Sequence, residues 1–500
     1  MVQIVWFKRD LRLKDHEPLI AALNNNHDII PLYILEPDLW RMPDLSFRHY
    51  RLLCEGLTEL NQACERAGQS LVIRVGAAIN ILNDLCQTYD VRALFSYEET
   101  WNDWTYQRDI KVRAWSHLKG IQFHEFKRNG VVRGGGSRKA WSQQWLQSAE
   151  RAISQRTVCF NSIESLSSDI LPTPQQLGLE HDGLLDRQSG CRKDGLGLLD
   201  SWLKGRGSDY VSTMSSPVTA YTTCSRLSTH LSFGTLSIRE VFQQVTQFKQ
   251  QLKCMPIQSR PIDLRSVNAF LGRLRWHCHF IQKLEDEPSL EFKNLHPLYD
   301  RVRQSEFNQS YFDAWANGMT GYPMIDAAMR ALIETGWINF RMRAMLVSFS
   351  SYHLWLDWRQ PALHLARLFT DYEPGIHYSQ IQMQSGTTGM NTLRIYNPVK
   401  QAIDQDPEGV FIRSWIPELR DMPDAYIHSP HLSPSKMNGY PMPIVDEVRA
   451  RKHAAQTLYS LRRSVEHSQL SKPIVRRHGS RKKLRSVSKK KPHPDQGALF

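Results

Sequence analysis

The spacing of hydrophobic positions changes character along the chain. From residue 1 to about 130, short apolar runs at 3–9 (QIVWFKR), 28–35 (DIIPLYIL), 71–76 (LVIRVG), 91–97 (VRALFSY) and 122–127 (IQFHEF) alternate with intervening segments, of which 49–67 and 77–89 have clear helical spacing. Runs that stay apolar at consecutive positions suit strands covered on both faces, and alternation with helices is the pattern of crossover connections. The expectation for 1–130 is an α/β domain with a doubly wound parallel sheet.

From 131 to 205 the periodicity fades into Gly134, Gly135 and Gly136 and the segments LSSDILPTP and DRQSGCRKDG, the composition of a long interdomain linker. Beyond it strand signals nearly vanish. Amphipathic spacing over 237–253, 265–285, 311–316, 323–335, 338–356, 360–369 and 440–463 predicts an all-helical domain spanning 206–463. Residues 464–500 hold too few apolar positions to fold alone and are expected to be a disordered tail.

Charge sharpens that division. The chain has 63 Lys and Arg against 50 Asp and Glu, a net of +13, but residues 462–500 contain 12 against 2, which leaves only +3 for the rest. The tail could therefore grip nucleic-acid phosphates non-specifically, meet an anionic membrane surface, or serve only as a soluble extension. The eight cysteines include no CxxC pair, which argues for a reducing compartment and against a zinc ribbon or a cysteine-held cluster, and no metal is expected. No run of 18 apolar residues occurs, so a soluble cytoplasmic protein without a membrane span is expected.

Three stretches concentrate candidate chemistry. In 225–239, SRLSTHLSFGTLSIR, serines near a helix start suit a phosphate or simply cap the helix. In 271–285, Arg273, Trp276, His277 and Phe280 fall at spacings of three and four, so one helical face carries a guanidinium, an indole and an imidazole, unless Trp276 is plain core. Between Thr335 and Gln384 lie Trp337, Phe340, Arg343, Trp355, Trp358 and the run DYEPGIHYSQIQMQSG, in which Asp371 could pair with Arg343 in the interior or at the surface. The first strand is followed by Lys8, Arg9, Asp10 and Arg12 and not by GxGxxG, which weakens an ordinary dinucleotide site there.

Four motifs in order resemble the photolyase and cryptochrome family over residues 1–460. WFKRDLRLKDHEPL resembles its WFRRDLRLxDNxAL opening and SRLSTHLSFGTLSIR its phosphate segment. TGYPMIDAAMRALIETGWINFRMR is similar to its TGYPLVDAxMRxLxxTGWMHNRxR helix pair, and YPMPIVDEVRARKHAAQTLY to its closing helix. The resemblance implies an N-terminal domain that can carry an antenna chromophore of folate or flavin type and a helical domain holding FAD. Carried over by motif, the FAD contacts are Tyr210, Ser225, Arg226, Leu227, Ser228, Trp276, His279, Arg343, Asp371, Glu373 and His377, the last standing where many relatives place an Asn beside flavin N5. It further implies a monomeric deoxyribodipyrimidine photo-lyase that splits pyrimidine dimers in DNA by electron transfer from light-excited, reduced FAD. The alternative is a cryptochrome-type blue-light photoreceptor.

Departures from the family pattern bear on that choice. Arg273 stands where dimer-repairing members carry Glu, and Asn339 and Phe340 replace the His and Asn of TGWMHNR. The tryptophan relay keeps its middle member, Trp358. Its near member is Ile381 and its outer one falls around Ser305, so the usual photoreduction route is expected to be broken, with Trp355 and Trp315 as replacement candidates. The reaction residues implied are Trp276, Arg273, Phe340, His377 and Trp358.

Overall fold

The computed structural model describes residues 1–25, 27–134, 138–164, 166–184, 187–303 and 306–479. The five apolar runs form strands β1 (Val2–Phe7), β2 (Asp28–Leu35), β3 (Val72–Val75), β4 (Val91–Tyr97) and β5 (Gln122–Phe126). They lie in one all-parallel sheet in the order β3-β2-β1-β4-β5, with Val2 opposite Asp28 and Ile4 opposite Leu94. Because β1 and β2 are buried on both faces, their sequences show continuous apolar runs instead of alternation. Helices α1 (Phe47–Arg66), α2 (Ala78–Thr88) and α3 (Asp103–Leu118) make crossovers between strands. The strand order reverses between β1 and β4, where open α/β sheets ordinarily offer a ligand crevice.

Here that crevice is packed with charge and rings. Its remaining cavity is about 30 Å³, bordered by Lys8, Arg9, Glu36, Trp40, Trp101 and Arg108. Lys8 Nζ donates to Asp109 at 3.1 Å, and Arg108 reaches Glu36 and Asp109 at 2.8 Å each and also bonds Glu99. Both cations lie over the Trp6 ring. Burial pushes the Asp109 carboxyl up, but Lys8 and Arg108 hold it below the ordinary carboxylate value.

The segment expected to be a linker carries structure of its own. Helix α4 (Arg138–Glu150) buries Trp145 against Phe242 of the helical half, while Phe160 bonds Ala67 and Asp169 bonds Ile73 beside the sheet. The chain here serves both halves, so its apolar residues follow neither a strand nor a single helix period. Arg9 bonds Ser232 Oγ at 2.7 Å and Arg12 bonds the Gly234 carbonyl at 2.9 Å across the junction of the two halves. Gly234, at φ 69°, is required there, since a Cβ would lie 2.1 Å from the Arg9 carbonyl oxygen.

The helical half contains α5 (Ser228–Phe233), α6 (Ile238–Cys254), α7 (Leu264–Asp286), α8 (Pro323–Thr335), α9 (Phe340–Ser348), α10 (Arg359–Leu368) and α11 (Pro374–Ser385). The last of these was not expected. It is buried almost all round and so shows no polar stripe. It packs tightly on α7, where a Cβ on Gly375 would meet Ile281 Cα at 2.6 Å.

Two expectations near the C-terminus are corrected. The helix expected from 440 begins only at α12 (Glu447–Arg462), because Pro441 and Pro443 interrupt the approach and Asp446 caps the first turn. Residues 465–478, expected to be part of the tail, form α13 (Val465–His478), held by the His467 ring stacked on His296 at 4.3 Å and by Ser471 on the Gly389 carbonyl. Polar rings dock this helix, which an apolar count cannot register. Residues 480–500 lie outside the described residues, as do Gly135, Gly136 and Ser305. Among the described residues no helix is long and apolar enough to cross a membrane, and no group of metal-ligating side chains gathers.

Candidate functional site: a cavity between helices

A cavity of about 350 Å³ opens in the helical half, bounded by the segment before α5 and by α7, α9 and α11. Its walls bring together Tyr210, Ser225, Arg226, Leu227, Ser228, Arg273, Trp276, Phe340, Arg343, Asp371, Glu373 and His377. Of the other expected residues, His279, named as an FAD contact, is not in the wall, and Trp358, named as the middle relay member, lies one step behind it. His279 packs behind Trp276, with ring centroids 4.9 Å apart, and Trp358 is buried behind Tyr378 with its indole N–H on Asn294 Oδ1 at 2.7 Å.

Local chemistry fixes each wall. Arg226 holds φ 61°, rare for a side-chain-bearing residue, with its guanidinium sandwiched between the rings of Tyr221 and Trp337 at 4.0 and 4.1 Å. The first turn of α5 follows directly, and its leading backbone N–H groups have no acceptor within the helix. Across the cavity Arg343 grips Asp371 in a two-pronged pair at 2.9 Å on both oxygens, while its Nε donates to the Ile338 carbonyl at 2.8 Å. Burial pushes Asp371 up, but Arg343, Ser228 and Arg226 together hold it below the ordinary carboxylate value.

Face-to-face with these are polar groups the protein leaves unmatched. Arg226 Nε, His277 Nδ1, Asn339 Oδ1, Glu373 Oε1, Gln380 Oε1 and both amide atoms of Gln384 are buried without a hydrogen-bond partner, and all six residues border this cavity. Such atoms ordinarily find partners in the interior. Their concentration here fits a large ligand that combines apolar rings with many donors and acceptors, and FAD meets that requirement. Burial lifts Glu373 to about 7 against the pull of Arg9 and Arg128. It lowers His377 to about 4, so that ring is neutral, and its Nε2–H donates to the Ala362 carbonyl at 2.9 Å, which leaves Nδ1 as an acceptor.

The mouth differs from the interior. Phe340 is 38% exposed at the rim, and Trp276 tilts against Phe280 at 5.7 Å. Arg273 lies beside Tyr210 and 3.6 Å from the Met214 sulfur. Ile381 lines the wall where an indole was expected to be missing, whereas Trp315 and Trp355 do not reach the cavity. Trp315 is tied to the Leu346 carbonyl, and Trp355 sits between Arg303 and His453.

Gln380, Gln384 and Tyr372 were missed as wall residues. A signal for the glutamines existed, since 373, 377, 380, 381 and 384 share one face of a helix.

The chain matches the family described as DNA photolyase over residues 3–144 and the FAD binding domain of DNA photolyase over 270–460. It is 29% identical to the deoxyribodipyrimidine photo-lyase of Streptomyces griseus, over 91% of this chain and 99% of that one. The Escherichia coli (strain K12) deoxyribodipyrimidine photo-lyase is also 29% identical, over 90% and 96%. Among solved structures, the archaeal photolyase from Sulfolobus tokodaii, described with two FAD molecules, aligns at a TM-score of 0.76 and 28% identity, covering 92% of this chain and 100% of that one. With both halves matched in order and most of the cavity wall inside the FAD-binding match, the chain belongs to the photolyase and cryptochrome family.

Proposed function

We propose that this protein is a deoxyribodipyrimidine photo-lyase, which holds FAD in the helical cavity and repairs ultraviolet-induced pyrimidine dimers in DNA by light-driven electron transfer. The observation that carries the reading is the continuity of one cavity from unmatched polar atoms inside to stacking rings at its mouth. FAD, when bound, supplies light absorption and the transferable electron. The chain's residues do the rest. Ser225, Arg226, Leu227 and Ser228 would hold the phosphates, with Tyr210 ahead of them, and the Arg343–Asp371 pair would set the charge beside the flavin ring, a reading supported by their sharing one cavity wall. His377 offers a neutral acceptor. Trp276 and Phe340 present flat apolar faces that suit two linked bases flipped out of the duplex, while Arg273 brings a cation for the DNA phosphate. No nucleophile or acid–base triad is needed.

A photoreceptor role is the second reading, favoured by Arg273, which cannot accept an imide N–H as a carboxylate does, and by Ile381, which cannot be oxidised as indole can. Further parts of the proposal are monomeric action in the cytoplasm, extra non-specific DNA affinity from the basic residues beyond Gly479, and a light-harvesting chromophore in the α/β half. At the crevice of that half, which holds about 30 Å³, such a chromophore would require the walls to part.

The test is dark binding of a duplex carrying one cyclobutane dimer against the same undamaged duplex. Preference for the damaged duplex is expected, with Arg273→Ala costing about 1–3 kcal/mol of binding. Equal affinity for both duplexes counts against the repair reading.

A further inference from the structure

The missing indole at Ile381 leaves the question of which side chain gives an electron to oxidised flavin. The cavity wall contains another oxidisable ring. Tyr372 borders the cavity next to His377, with ring centroids 5.2 Å apart, and is 2% exposed. Its hydroxyl donates to Asp44 Oδ2 at 2.7 Å, a contact that joins the helical half to the α/β half.

This geometry suits the chemistry of phenol oxidation. A phenol that loses an electron becomes strongly acidic, so a usable tyrosine donor needs a proton acceptor already in hydrogen-bond contact. Asp44 is such an acceptor: it is buried, and burial raises its proton affinity, although the Tyr372 hydroxyl and Asn102 favour its ionised form. The indoles on the cavity wall are placed less well. Trp337 lies under the Arg226 guanidinium, which opposes a cation on the ring, and Trp276 stands one helical turn after Arg273. Behind Tyr372, the neighbouring Tyr378 touches both His377 and Trp358, with centroids 5.2 and 6.2 Å apart, so aromatic rings continue into the protein.

We propose that Tyr372 is the electron donor for photoreduction of the bound flavin and that Asp44 takes its proton. This rests on the cavity being a flavin site. The Tyr372 O–H bond would break as one electron passes to the light-excited oxidised flavin, and the proton would form a new O–H bond on the Asp44 carboxylate. A soluble thiolate then returns one electron and becomes a thiyl radical, two of which couple to a disulfide, and Asp44 returns the proton, restoring the phenol.

Oxidised, FAD-loaded protein is flash-illuminated without thiol and frozen, and electron paramagnetic resonance distinguishes tyrosyl from tryptophanyl radicals. Flavin absorbance of the same sample reports loading, so failure of the flavin reading is seen separately as absent flavin. A tyrosyl radical is expected in the parent, with its formation slowed in deuterated solvent. Tyr372→Phe should abolish it with flavin retained, and Asp44→Asn should slow it. Should Tyr372→Phe fail to hold flavin, Asp44→Asn and the solvent isotope effect still decide. A tryptophanyl radical as the first product in the parent, or a tyrosyl signal that persists in Tyr372→Phe, overturns the assignment. So does a formation rate indifferent to both Asp44→Asn and deuterium.

Discussion

Two concave regions of this molecule, the crevice at the reversal of the sheet and the cavity between the helices, are built from similar residues to opposite effect. Both gather arginines, carboxylates and tryptophans. In the crevice Lys8 and Arg108 are paired with Glu36, Glu99 and Asp109, and about 30 Å³ remains. In the helical cavity the Arg343–Asp371 pair stands beside a row of unmatched polar atoms around about 350 Å³. A buried charge cluster whose members satisfy one another acts as structure, whereas one that leaves donors and acceptors facing a void is prepared for a ligand.

Breaking one pair in each region separates the two roles most sharply. Asp371→Ala leaves the Arg343 guanidinium without its carboxylate beside the ligand, and the expected loss of about 3–5 kcal/mol is roughly a hundred- to several-thousandfold in FAD affinity. Flavin absorbance after exhaustive dialysis measures it. Asp109→Ala removes a carboxylate shared by Lys8 and Arg108, and an effect of about 3 kcal/mol should fall on unfolding by denaturant, with retained FAD unchanged. Full flavin occupancy in the first variant would remove the ion pair from the account.

The pH dependence of the apoprotein sharpens the same contrast. Glu373 is raised from 4.5 to about 7 by burial, so the unfolded chain ionises while the folded one still holds the proton. Its contribution to stability is therefore complete below about 4.5 and lost as pH rises through about 7, up to about 3 kcal/mol. Denaturant unfolding across this range should show the decline, and Glu373→Gln should flatten it.

The smallest effect concerns the C-terminus. Truncation after Gly479 keeps the docked helix α13 and removes seven Lys and Arg. It should leave the flavin spectrum intact and lower the salt dependence of non-specific DNA binding by about 0.9 in log–log slope for each phosphate that the tail had neutralised. An unchanged slope would show that the tail does not touch DNA.

The difference between the regions also explains what could be read from sequence. The strands were legible because a sheet covered on both faces needs contiguous apolar runs: the expected limits 28–35 and 91–97 coincide with β2 and β4. Helices α7 and α8 were legible because one face of each is solvated or polar. Helix α11 was not, since it is enclosed on nearly every side and has no stripe to detect. The site divides similarly. Ser225 to Ser228 and the Arg343–Asp371 pair were legible through resemblance to a family. The roles of Gln380, Gln384 and Tyr372 depend on which buried atoms lack or find partners, and that is decided only by packing. His279 was expected at the cavity from motif position alone, and packing carries it behind Trp276, whereas Trp358, expected as the middle relay member one step from the wall, lies behind Tyr378.

The most direct test is repair itself, begun from chemically reduced protein so that the photoreduction route plays no part. Oligonucleotides containing a cyclobutane dimer or a (6-4) product are illuminated with the protein at concentrations that bind DNA, and restored bases are separated by chromatography. The account predicts light-dependent restoration of at least one of these substrates, with none in the dark. No restored base from either, with FAD fully reduced and DNA bound, would contradict repair and leave the photoreceptor reading in its place.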